Sequence, residues 1–300
     1  MKQVILSLNN SKNITKFLIS VKSIWADKKQ PTTPDVYSYE VQIDKKPVKY
    51  VFFLKKEVSK VKKVPEKLSI NMTSDDETSS CLMMTFTNVK KSSTGFIGFK
   101  KSVIDFLGKG KCGLNSKNVH SEDIPGKYIL KLANKLNIIL DTEQSTLYDD
   151  ARLSFCNDTL PLRLLYVLTH GKTWYDKQGG FSPEENIYKY HEEIKDMTLK
   201  QLFDSYYSNR AYKSRYESEY MPKLVKVLKK LKLTIDTSIP IPALTKKAFT
   251  ELNDCDKIVF YNLIYSNILN DKTNKDKLYK SFMSFTGKFT GEFIKSTKKY

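Results

Sequence analysis

Gly171-Lys172-Thr173-Trp174-Tyr175-Asp176-Lys177-Gln178-Gly179-Gly180-Phe181 is the most specific local pattern in this chain. Ahead of it, Leu160, Leu164, Leu165, Val167 and Leu168 recur at helical spacing after Asp158 or Thr159, either of which is a good N-cap. His170 falls in the last turn of that expected helix, and Gly171 stands where a left-handed residue stops it. Lys172–Lys177 then add one more turn before Gly179-Gly180 breaks it and Phe181 opens an extended segment.

Upstream of this corner the pattern is β. Tyr37–Ile43 alternates, Asp44-Lys45-Lys46-Pro47 turns the chain, and Val48, Tyr50 and Phe52 return with period two. Leu68, Ile70 and Met72 face Leu82, Met84 and Phe86 across the polar turn Ser74–Thr78, which makes a second hairpin. A Lys-rich linker, 55–67, joins the two. Residues 92–126 carry Gly95, Gly98, Gly108, Gly110, Gly113 and Gly126, six of the chain's 11 glycines, so this part either is loop-rich, the favoured reading, or brings backbone close to something. A helix is expected from Pro125 with Tyr128, Ile129, Leu132, Ala133 and Leu136 on one face, followed by a buried strand at Ile138-Ile139-Leu140.

Downstream, from Pro183, helical patterns dominate. Leu224, Val225, Leu228 and Leu231 form an apolar stripe opposite Lys223, Lys226, Lys229 and Lys230. Ile239-Pro240-Ile241-Pro242 is expected to be an extended linker, because each proline fixes its own φ and biases the preceding residue away from helix. A last helix carries Ile258, Val259, Tyr261, Leu263, Ile264 and Ile268. The expected organisation is an α+β domain over 1–185 and a helical region over 186–300.

Length and composition set the limits. The chain has 300 residues and a hydrophobic share of 40%, enough apolar side chain for real cores and too much for disorder throughout. No stretch approaches a membrane span, and Met1–Asn10 turns polar too early for a signal peptide, so a cytoplasmic protein is expected. Cys81, Cys112, Cys156 and Cys255 lie far apart and only His120, His170 and His191 accompany them, so their spacing encodes neither a zinc site nor a disulfide framework. The formal charge is +18, from 51 Lys+Arg against 33 Asp+Glu, which favours polyanionic partners. Only Arg152, Arg163, Arg210 and Arg215 are arginines, which argues against sequence-specific reading of base edges. The lysines cluster at 55–67, at Lys223, Lys226, Lys229, Lys230 and Lys232, and at Lys295, Lys298 and Lys299. Nucleotide loops of the Gly-x-Gly-x-x-Gly and Gly-x4-Gly-Lys-[Ser/Thr] types are absent.

The Gly171–Phe181 string resembles the closing motif of the GNAT acetyltransferase superfamily, in which an aromatic-Tyr-acid-Lys-x-Gly-Phe sequence ends a helix and enters the next strand. The order of upstream elements is similar to that family as well, and the likeness covers about 68–183. The chain also looks like proteins of large cytoplasmic DNA viruses, which implies the host cytoplasm or the virion. The resemblance implies an acetyl-CoA-dependent N-acetyltransferase, with Tyr175 donating a proton to the departing thiolate; a phenol is protonated at neutral pH. It implies Gly126 and Lys127 at the coenzyme's pyrophosphate. The corresponding loop here is Ser121-Glu122-Asp123-Ile124-Pro125-Gly126, with one glycine of two, no leading Gln or Arg, and two carboxylates. The alternative is a non-catalytic relative whose Lys clusters hold nucleic acid or another polyanion, or whose helical part holds a protein partner. On that reading Trp174 and Tyr175 are packing anchors.

Overall fold

A computed structural model describes residues 6–26, 35–58, 65–74, 80–92, 95–107, 110–115, 121–149, 152–156, 158–179, 181–183, 191–192, 194–206, 218, 221–261, 263 and 291–296. The fold is α+β, with a mixed, mainly antiparallel sheet and several helices. The chain divides into two compact units. Unit 1 comprises Met1–Tyr148, Gln178–Ser182 and Glu292–Tyr300; unit 2 comprises Asp149–Lys177 and Pro183–Gly291.

Unit 1 opens with β1 (Leu6–Ser7) and α1 (Ser11–Ala26), a helix the periodicity reading passes over. Asn10 caps α1 by accepting the Asn13 amide at 2.8 Å, and Phe17, Leu18 and Val21 are its buried face. Strands β2 (Asp35–Ile43) and β3 (Lys46–Val58) form the expected first hairpin. Its turn residues Asp44 and Lys45 have φ of 48° and 65°, the left-handed pair that a two-residue hairpin turn needs. Strands β4 (Pro65–Thr73) and β5 (Ser80–Lys91) form the second hairpin, with Leu68 opposite Phe86, Ile70 opposite Met84 and Met72 opposite Leu82. These six side chains, with Val48, Tyr50, Phe52 and Leu54 of β3, are buried on one face, as period two demands. Aromatic edges close the core: Phe17 meets Tyr37 at 4.7 Å and Trp25 meets Phe99 at 5.4 Å between ring centroids.

The 92–126 segment corrects the loop reading. It forms β6 (Ile97–Leu107), β7 (Gly110–Asn115) and β8 (Ser121–Ile124). Gly113 fits the other reading, backbone brought close to its neighbours: a Cβ there would lie 2.6 Å from Val48 Cγ1 and collide with Ile124 Cδ1. The 55–67 linker is corrected in part, since β3 runs to Val58 and β4 begins at Pro65; 59–64 lie outside the described residues.

The expected helix is present as α2 (Gly126–Ile139), with Ile129, Leu130, Leu132, Ala133 and Leu136 buried. The expected strand at 138–140 is not: the helix continues through it, and Ile138 is 70% exposed. Asp141, at φ 46°, ends the helix in a Schellman motif, its amide donating to Ile138 O and the Thr142 amide to Asn137 O. The strand of this crossover lies further on, as β9 (Gln144–Asp149), parallel to β6. Strand order in the sheet is β1-β2-β3-β4-β5-β6-β9, continuing through β13 (Gly291–Ser296) to β12 (Ser182–Pro183), while β7 pairs with β3 and β8.

In unit 2 the strands β10 (Arg152–Phe155) and β11 (Asp158–Pro161) pair in a hairpin. Asp158 and Thr159 are therefore strand residues rather than caps, and α3 begins later, at Leu162–His170. After α4 (Trp174–Gly179) the helices are α5 (Leu199–Tyr206), α6 (Met221–Lys230), α7 (Ile241–Glu251) and α8 (Asp254–Tyr261). Thr198 and Gln201 make a reciprocal capping box on α5, at 2.8 and 3.3 Å. The Ile239–Pro242 linker reading is corrected: Pro240 caps α7 and Pro242 occupies its first turn, where a missing N–H costs nothing. The core joins Leu199, Leu202, Phe203, Leu224, Leu228, Ile241, Leu244 and Phe260. Ile264 and Ile268 lie outside the described residues.

All four cysteines are bridged, Cys81 to Cys112 and Cys156 to Cys255, pairings that the spacing alone does not show. Linear spacing hides the first pair because each partner is the extra residue of a β-bulge. Cys81 is skipped in the β4–β5 ladder and Cys112 in the β7–β8 ladder, and a bulge re-aims a side chain. No helix among the described residues is long and apolar enough to cross a membrane.

Candidate functional site

The β6–α2–β9 crossover brings one parallel pair into an otherwise mainly antiparallel sheet. Its ladder is short, running from Lys101 opposite Gln144 to Ile104 opposite Leu147. Beyond it β6 continues to Leu107 and β9 to Asp149, so the pairing ends before either strand does. Antiparallel strands need only a turn, whereas a parallel pair needs a crossover, and α2 supplies it.

A buried polar ring fastens the three elements. The Ser102 hydroxyl of β6 donates to Asn137 Oδ1 of α2 at 2.7 Å, and Asn137 Nδ2 donates to Ser145 Oγ of β9 at 3.0 Å. The two serine oxygens are 2.8 Å apart. Ser102 has one proton and gives it to Asn137, so Ser145 completes the circle by donating to Ser102. Ser102, Ser145 and Asn137 are at most 1% exposed, and the ring satisfies them. At the far end of α2, Lys90 Nζ pairs with Glu143 at 3.2 Å and Asp141 at 3.6 Å.

The start of α2 holds Gly126 and Lys127. Pro125 is the N-cap and makes no side-chain capping bond, and the first turn contains no acidic residue. The Tyr128 amide donates to Pro125 O at 2.9 Å, so of the first turn it is the Gly126 and Lys127 amides that suit an anion. Lys127 is exposed, and the Lys127 and Lys131 ammonium groups lie 5.0 and 5.1 Å from the centre of the Tyr128 ring. Lys131, one turn on from Lys127, is not among the residues the sequence singles out. The expected loop Ser121–Gly126 is not a loop: 121–124 form β8, with Asp123 opposite Lys111 and Glu122 opposite Gly113. Nearby in the sheet, Tyr50 is wholly buried, its hydroxyl has no protein partner, and burial pushes its phenol well above the ordinary range.

Tyr175 belongs to unit 2, as do the other residues of its immediate corner, whereas Gly126 and Lys127 belong to unit 1. The expected acid and the expected cofactor residues are thus not gathered in one unit. The chain around Tyr175 is fixed by local signals. Gly171 stops α3 at φ 72°, and Thr173 starts α4 by accepting the Asp176 amide on Oγ1 at 3.1 Å. Tyr175 is buried and meets Trp174 edge to face at 5.1 Å; Phe181 is fully buried in unit 1.

Sequence reasoning missed the chemistry of His170. Thr169 Oγ1 spends its proton on the carbonyls of Leu165 and Tyr166, at 2.8 and 3.2 Å, so its 2.6 Å contact with His170 Nδ1 requires Nδ1 to be the protonated nitrogen. The ring stacks on Tyr166 at 4.2 Å. Desolvation holds the imidazole below its ordinary pKa, with Lys177 and Lys246 acting in the same direction. His170 therefore presents an unprotonated Nε2 at neutral pH. Among the described residues no three His, Cys, Asp or Glu side chains group as a metal site would require.

No family model matches the chain, and neither a curated protein nor a solved structure matches it.

Proposed function

We propose that the chain is a GNAT-like acyltransferase that uses acetyl-CoA to acetylate an amine. The observation that carries this reading is the β6–α2–β9 crossover, whose parallel ladder stops at Ile104 and Leu147 while both strands run on. On this reading an extended ligand lies at the ends of the two strands, beside the start of α2. The residues present fit the anionic end of such a ligand: α2 begins without acidic residues or a side-chain cap, and Lys127 is exposed at its start.

Acetyl-CoA supplies an activated acyl thioester. The Gly126 and Lys127 amides and the Lys127 ammonium would hold its diphosphate. Titration calorimetry tests this reading. Acetyl-CoA should bind with micromolar affinity, and Lys127→Glu should weaken it at least tenfold.

A second reading has its own observation. Lys223, Lys226, Lys229, Lys230 and Lys232 are all exposed on or just after α6. Lys230 is paired with Asp256 at 2.6 Å, while among the described residues no ion pair engages the other four. Such a face suits a nucleic acid or another polyanion. A steep fall of DNA or RNA affinity with salt supports it, and a flat dependence removes it.

A further inference from the structure

The two disulfides differ in access. Cys81 and Cys112 are 1% and 5% exposed within unit 1, whereas Cys156 and Cys255 are both exposed within unit 2. Exchange requires a thiolate to reach a bridge sulfur, so the first bridge is shielded and the second is open to attack.

The two sulfurs of the open bridge are also unequal. Cys156 lies in the two-residue turn of the β10–β11 hairpin, between Phe155 and Asp158, at φ 46°. Cys255 is the second residue of α8, two residues past the cap that Asn253 makes by accepting the Asp256 amide at 2.9 Å. A thiolate at that position is stabilised by the helix N-terminus. The adjacent carboxylates would oppose it, but both are engaged by ammonium groups: Asp254 by Lys257 at 2.9 Å and Asp256 by Lys230 at 2.6 Å. The better leaving sulfur is therefore Cys255.

We propose that Cys156–Cys255 is a thiol–disulfide exchange site for small thiols of the glutathione type, with Cys156 carrying the adduct. The external thiolate attacks Cys156 Sγ; a new S–S bond forms there as the Cys156–Cys255 bond breaks, and the bonding pair departs on Cys255 as thiolate. A second external thiolate attacks the adduct, releasing oxidised thiol and the Cys156 thiolate, so two electrons pass from two small thiols to the bridge. The consequence is that the β10–β11 hairpin is untied from α8, whose Ile258, Phe260 and Tyr261 remain buried in the unit 2 core. This inference does not rest on the acyl-transfer reading.

The test is brief exposure of the folded full-length chain to reduced glutathione, quenching by alkylation, and peptide mass mapping. The expected result is glutathione on Cys156, alkyl label on Cys255, and a Cys81–Cys112 bridge opening at least tenfold more slowly. A variant with Cys156→Ala and Cys255→Ala should take up no glutathione while keeping its other bridge. Adduct on Cys255, equal rates at the two bridges, or free thiols at 156 and 255 in the unreduced protein would overturn the proposal.

Discussion

Ser102 donates a 2.7 Å hydrogen bond to Asn137 in the interior of unit 1, and that bond locks the helix of the crossover to its first strand. Asn137→Ala leaves two buried serine hydroxyls without their amide partner, at a cost of about 1–3 kcal/mol. Urea unfolding should show that loss as a lower midpoint with an unchanged slope. A cost under a few tenths of a kcal/mol would mean that the ring is not closed in solution.

Gly113→Ala forces a methyl group between Val48 and Ile124, and the price should be about 1–3 kcal/mol of overpacking. Gly95, at φ 78° with open space around it, should cost about 1 kcal/mol on the same change, through backbone conformation alone. Thermal melts of the two variants order the effects.

Burial raises the Tyr37 phenol to about 12 and sends Tyr50 higher still, so neither should ionise in an absorbance titration below pH 11, while unburied tyrosines do. Tyr50→Phe removes a buried hydroxyl that has no protein partner, and should leave stability equal or raise it by about 1 kcal/mol. A clear destabilisation would show that this hydroxyl is bonded in solution.

His170 should titrate in NMR with a midpoint below its ordinary 6.5, as the Nδ1–H tautomer. Lys246→Gln removes an opposing charge and should raise that midpoint. Because the folded value lies below the unfolded one, the contribution of His170 to stability is present above the unfolded pKa and is lost as pH falls through the folded value. His170→Gln should flatten the acid limb of the stability curve.

Much of unit 1 was legible because one face of each early strand is buried, so Leu68, Ile70 and Met72 advertise their register. The end of α2 was not. Ile138, Ile139 and Leu140 form an apolar triplet that looks like a strand, and what ends the helix is the left-handed backbone of Asp141, a non-glycine residue that gives no sequence signal. In the same region the favoured loop reading failed and the alternative of close backbone approach held at Gly113, which sits mid-strand for lack of room and not for freedom. Gly171 and Thr173 do mark the corner around Tyr175, and the sequence shows the first of them. The disulfides join residues 31 and 99 apart, and Cys81, Cys112 and Cys156 sit at bulges and a turn that exist only once the strands have paired. The same holds for His170, whose tautomer depends on the carbonyls of its own helix.

Calorimetry of acetyl-CoA against the wild-type chain and Lys127→Glu tests the central claim most directly. The account predicts saturable heat with micromolar affinity for the wild type and at least tenfold weaker binding for the variant. No heat at millimolar ligand, or identical isotherms for the two proteins, would contradict it.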